Sequence, residues 1–91
     1  GVNPVTLTIM ATRHFRTLYR IAANPGAPIY GVRDRDRAMR QARHWGAVKL
    51  ETALAVLTET DLKLRSAGQH APALALVERA FIRLAMLGAQ R

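Results

Sequence analysis

Cysteine is missing altogether from the 91 residues. There is therefore no disulfide framework, no thiolate zinc or iron–sulfur ligation and no cysteine nucleophile, and a reducing compartment is permitted. Aromatic side chains make up only 5% of the chain, with Trp45 the sole tryptophan, so no tract of rings is available for stacking on bases. The one serine, Ser66, falls where a helix is expected to end, where capping explains it and no serine-centred triad can be written. None of the six glycines opens a phosphate loop closed by Lys and Ser or Thr, which excludes a P-loop ATPase. His14, His44 and His70 lie on three separate segments with no carboxylate at ligand spacing, so no metal and no cofactor is expected. The longest apolar stretch, Pro72 to Gly88, is interrupted by Glu78, Arg79 and Arg83 and falls short of the roughly 20 residues of a membrane span. The opening Gly1-Val2-Asn3-Pro4 has neither an initiator Met nor a basic-then-apolar leader, and the expectation is a domain excised from a longer chain.

What remains is apolar and basic. A hydrophobic fraction of 49% in a chain of this length supports one modest core and leaves no room for a second. Fourteen basic against six acidic residues give a formal charge of +8, and twelve of the fourteen are arginine. Residues 13–43 carry +6 of that excess and residues 44–91 only +2. Such a field suits a polyanion or an acidic partner; the alternative is that the arginines are a solubilising surface.

Periodicity predicts an all-α fold, a compact bundle of about four helices. From Val5 to Ala23, Leu7, Met10, Ala11, Leu18, Ile21 and Ala22 fill one arc, with Arg13, Arg16 and Arg20 opposite. His14 falls in the middle of the apolar arc and is expected to be hydrogen-bonded in the core. Asn24-Pro25-Gly26-Ala27-Pro28 ends this helix, and Ile29–Val32 reads as an extended connector. A second helix starts at Asp34 and Asp36, whose carboxylates suit the positive end of the dipole, and runs to His44 or Trp45, where Gly46 stops it. Ala38, Ala42 and Trp45 form its buried face, and Arg33, Arg37, Arg40 and His44 share the other. A third helix, about Val48 to Ala67, places Leu50, Leu54, Leu57 and Leu64 on one seam; Gly68 suits its cap, and Pro72 the first turn of a fourth helix reaching about Leu87. That last helix is apolar almost all round, so it is either central or docked on something else. Short links joining the second, third and fourth helices favour antiparallel neighbours.

Two features stand out as candidate sites. Asp61 interrupts the leucine seam of the third helix, where a carboxylate must be paired; the expected arrangement is a buried ion pair with Arg79 or an arginine of the first helix, a structural role rather than a catalytic one. Arg33, Arg35, Arg37, Arg40 and Arg43 could follow a phosphate backbone, although Asp34 and Asp36 dilute their charge, so weak, salt-sensitive and non-specific nucleic-acid contact is expected. A helix-turn-helix is disfavoured because Asn24–Val32 is too long a turn and contains two prolines.

The segments RHFRTLYR at 13–20, RDRAMRQARHW at 35–45, LTETDLKLRSAG at 57–68 and ALVERAFIRLAML at 75–87, in this order and spacing, resemble the C-terminal domain of the bacterial DNA polymerase III delta subunit, over nearly the whole chain. The resemblance implies a cytoplasmic, non-catalytic collar domain of the clamp loader, which places the sliding clamp on primed DNA during replication. The implied partners are the other loader subunits, through the collar, and the sliding clamp, through an N-terminal domain that these residues do not include. ATP hydrolysis resides in other subunits of that assembly. The family's acidic residue in the third helix corresponds to Asp61, and its basic first-helix motif to Arg13, His14, Phe15 and Arg16. The other reading is a stand-alone basic helical DNA-binding module. For a collar domain the fourth helix must divide its apolar residues: Leu74, Val77, Phe81 and Leu84 follow core spacing, leaving Ile82 and Met86 as the expected partner interface.

Overall fold

A computed structural model describes residues 3–24, 26, 34–66 and 72–90. Among them there are four helices and no strand: α1 (Pro4–Ala23), α2 (Arg35–Trp45), α3 (Ala47–Arg65) and α4 (Ala73–Ala89). The all-α bundle is as the periodicity predicts. The expected connector at Ile29–Val32, the end of the third helix at Ala67 and the Gly68 cap lie outside the described residues.

Local chemistry explains the helix boundaries. The Asn3 side chain accepts a hydrogen bond from the Val5 N–H at 2.9 Å, with Pro4 at the first helical position, where its missing N–H costs nothing. Asp34 caps α2 by accepting from Arg37 N–H at 2.9 Å, and Asp36 adds a second carboxylate in the first turn. Gly46 alone separates α2 from α3. Its φ of 78° and ψ of 154° are open to glycine and strained for other residues, and it serves both helices: its N–H donates to the Ala42 carbonyl and its own carbonyl accepts from Leu50 N–H.

The bundle is at most 19 Å through its thinnest direction, room for two layers of helices. α1 packs chiefly on α3 and α2, and α3 also against α4, so α3 is the central helix. Of the two expectations for α4, central or docked elsewhere, the central one is corrected: α4 covers one side of α3 and leaves its own far side open. The core has two clusters. Leu18, Ile21, Ala38, Ala42 and Leu50 join α1, α2 and the start of α3, while Ala53, Val56, Leu57, Ala80 and Leu84 join α3 to α4. Phe15 and Trp45 pack against both, their rings edge to face at 5.1 Å. The two buried hydroxyls, Thr8 and Thr60, are satisfied by donating to the carbonyls of Pro4 and Val56 one turn earlier.

Several core assignments change. Met10 is 61% exposed, whereas Thr8 is buried in its place. His14 is exposed rather than in the core, its ring edge-on to Phe15 at 5.7 Å. On α4 the buried residues are Val77, Ala80 and Leu84; Leu74 is 51% exposed and Phe81 37%, so two of the four predicted core residues stand outside.

The core also depends on a glycine. A Cβ at Gly88 would come within 2.7 Å of the Trp45 ring. Gly88→Ala should therefore cost about 1 kcal/mol net, because overpacking of about 1–3 kcal/mol exceeds the helix-propensity gain of at most about 1 kcal/mol. Denaturant titration would measure it. The clash is with the six-membered part of the indole, so in a Trp45→Phe background the same substitution should become neutral to stabilising, by at most about 1 kcal/mol.

Candidate interaction surfaces

The exposed face of α4 is apolar. Leu74, Phe81, Ile82 and Met86 are exposed at 51%, 37%, 60% and 66%, with Ala85 and Ala89 exposed among them. At 100° per residue these positions share one broad arc that contains a single charge, Glu78. Ile82 and Met86 are thus exposed, as a docking role would require, and Leu74 and Phe81 are exposed beside them. Sequence periodicity could not separate the two faces of α4, because the buried one runs through small residues, Ala80 and Gly88, which carry little hydrophobic signal. Val48 and Leu62 are exposed as well, at opposite ends of α3.

Polar contacts hold the helix packing in register around this face. Arg83 reaches Glu59 of α3 at 3.5 Å, and Lys63 reaches the same carboxylate at 3.1 Å. The Lys63 hydrogen bond, with its charge and that of Arg83, holds the Glu59 carboxyl below its ordinary range. The pairing is therefore complete above the carboxylate range and fades as pH falls through the lowered value. Between α1 and α3 the Tyr19 hydroxyl donates to Glu51 at 3.0 Å, which raises the phenol. That tie holds below the ordinary tyrosine range and is lost as pH rises through the raised value. At the far end of α4, Lys49 donates to the Gln90 carbonyl, and His44 Nε2 lies 3.1 Å from the Gly88 carbonyl.

Asp61 is not buried in an ion pair between helices. Its side chain is 32% exposed and accepts from Arg65 Nε at 3.1 Å, one turn along α3. Arg79 is exposed and forms no ion pair among the described residues. The leucine seam is closed at Leu57, which is fully buried, but only half-buried at Leu64; Asp61 borders the open groove between α1 and α3. Asp61→Ala should accordingly cost only about 0.3–0.5 kcal/mol, the worth of an exposed pair one turn apart. Thermal denaturation would check this, and a loss near 3 kcal/mol would mean a buried partner.

Arg35, Arg37, Arg40 and Arg43 are all exposed on α2, while Arg33 lies outside the described residues. Arg13, Arg16 and Arg20 are exposed along α1. Two concavities lie beside these helices. One, about 240 Å³, is lined by Ile21, Ala22, Met39, Ala42 and Arg43 near the Gly46 turn. The other, about 270 Å³, is a groove between α1 and α3. Among the described residues no three His, Cys, Asp or Glu side chains gather as a metal cluster would require, and no helix is long and apolar enough to cross a membrane. The chain matches no protein-family model, and no curated protein or solved structure shows significant similarity to it.

Proposed function

We propose that this chain is a subunit-assembly domain whose docking face is the outer side of α4, and that the assembly it serves is the collar of a bacterial clamp loader, as the resemblance to the delta subunit of DNA polymerase III suggests. The observation that carries the reading is the exposed apolar arc of Leu74, Phe81, Ile82 and Met86. In a two-layer bundle a helix of this composition leaves one side uncovered, and contiguous apolar surface of this kind marks association sites. The role is non-catalytic: the chain contributes surface and rigidity, and the loader's chemistry belongs to other subunits. Glu78 at the middle of the arc and Arg79 and Arg83 at its edge would fix the orientation of a partner more than they would add affinity.

The test is methyl NMR on the 91-residue chain titrated with the remaining clamp-loader subunits of a bacterial pentamer. The Ile82 and Met86 methyl signals should shift or broaden in proportion to added subunits, while those of buried Leu50 and Leu57 hold their positions. Unchanged Ile82 and Met86 signals at saturating subunit would exclude the α4 face. The reading as a stand-alone DNA-binding module draws on the exposed arginines of α2, and there the helix surface is convex and two aspartates share its first turn.

A further inference from the structure

We propose that the groove between α1 and α3 binds the phosphate backbone of nucleic acid, and that this groove, rather than the arginine face of α2, is where the chain's positive charge meets a polyanion. The inference is independent of the assembly reading, since it uses neither α4 nor any partner.

Its walls come from two helices. Thr12, Arg13 and Arg16 line the α1 side, and Thr58, Asp61 and Arg65 the α3 side. Arg13 and Arg16 have no carboxylate partner among the described residues. Arg65 engages Asp61 through Nε alone, so its terminal nitrogens stay outside that bond. Three guanidinium groups therefore border a concavity of about 270 Å³ that contains one carboxylate, itself already hydrogen-bonded. The Thr12 hydroxyl is committed to the Thr8 carbonyl, whereas the Thr58 hydroxyl makes no hydrogen bond among the described residues and can donate to an anion.

Shape decides between this groove and α2. A concave site walled by low-dielectric protein concentrates field that a convex helix surface disperses into water, and of the exposed α2 arginines only Arg43 borders a concavity among the described residues, against three guanidinium groups here. On α2, Asp34 and Asp36 also sit within a turn of Arg35 and Arg37. Length decides between a polymer and a small anion. Arg20 continues the line of Arg13 and Arg16, and at about 1.5 Å rise per residue this stripe spans roughly 10 Å, enough for more than one phosphate. Guanidinium groups grip phosphate oxygens through paired hydrogen bonds and suit a backbone contact that carries no base specificity.

Fluorescence anisotropy of labelled single-stranded and duplex oligonucleotides, titrated with the chain at several salt concentrations, tests the proposal. The Arg13→Gln/Arg16→Gln variant should weaken binding about tenfold at low salt and flatten the log–log salt slope by roughly 1.4 on single strands or 1.8 on duplex, two phosphate contacts' worth. The charge-matched Arg37→Gln/Arg40→Gln variant should weaken it less than about threefold, through the long-range field alone. Asp61→Asn should tighten binding about two- to threefold, since it releases Arg65 and removes the only carboxylate lining the groove. This last variant gains function, so a folding defect cannot imitate the result. Equal losses from the two arginine pairs, no gain from Asp61→Asn, or displacement of the oligonucleotide by poly-glutamate at matching charge would overturn the assignment.

Discussion

Trp45→Ala should lower the stability of the chain by about 3–5 kcal/mol and its melting temperature by roughly 15–40 °C, followed by far-ultraviolet circular dichroism. Trp45 is only half-buried, yet it bridges the two core clusters. Its ring stands edge to face with Phe15 of α1, lies against the backbone of Gly88 at the end of α4, and packs on both core clusters. Removing it would leave Phe15 as the remaining ring packed on both clusters and open a cavity between them. In a domain of this size the expected loss is comparable to the whole margin of stability. A loss under about 1 kcal/mol would mean that the two clusters are held independently and that the indole only caps them.

Ile82→Glu/Met86→Glu should do the opposite, leaving the isolated chain folded while abolishing the assembly with loader subunits proposed for it. Both side chains are mostly exposed, so their removal takes nothing from the core. New repulsion with Glu78 one turn away is offset by Arg79 and Arg83 nearby, which keeps the change in melting temperature small. At a subunit contact the same two carboxylates would be desolvated without partners, a penalty of several kcal/mol that a docking face cannot absorb. Phe81 now belongs with this face rather than the core. Phe81→Ala is therefore expected to weaken assembly with only modest cost to folding.

Where structure follows from local chemistry, the sequence is readable. Asp34 as a helix start, Gly46 as a helix stop and Pro72 beside the start of the fourth helix are each set by the backbone preferences of one residue. The arginines of α1 and α2 lie on solvent-facing arcs because charged side chains have nowhere else to go in a thin bundle. What could not be read is the phase of a helix that is apolar on every side. α4 buries Ala80 and leaves Phe81 partly outside because the approach to α3, which presents Ala53, favours small residues over large ones. Asp61 misled for a related reason. Its place on the leucine seam is real, but it borders a groove between two helices, and spacing along one helix does not show where two helices leave a gap. The α1–α3 groove could not be seen at all, since Arg13, Arg16 and Arg65 lie on helices whose mutual approach no spacing rule gives.

The central claim is that the outer face of α4 is an assembly surface. Native mass spectrometry of the wild-type chain and of Ile82→Glu/Met86→Glu, each mixed with the remaining clamp-loader subunits, tests it most directly. The account predicts a stoichiometric complex containing one copy of the wild-type chain, and no complex with the variant at the same concentrations despite an unchanged melt. A wild-type complex that persists with the variant at the same concentration dependence would contradict it.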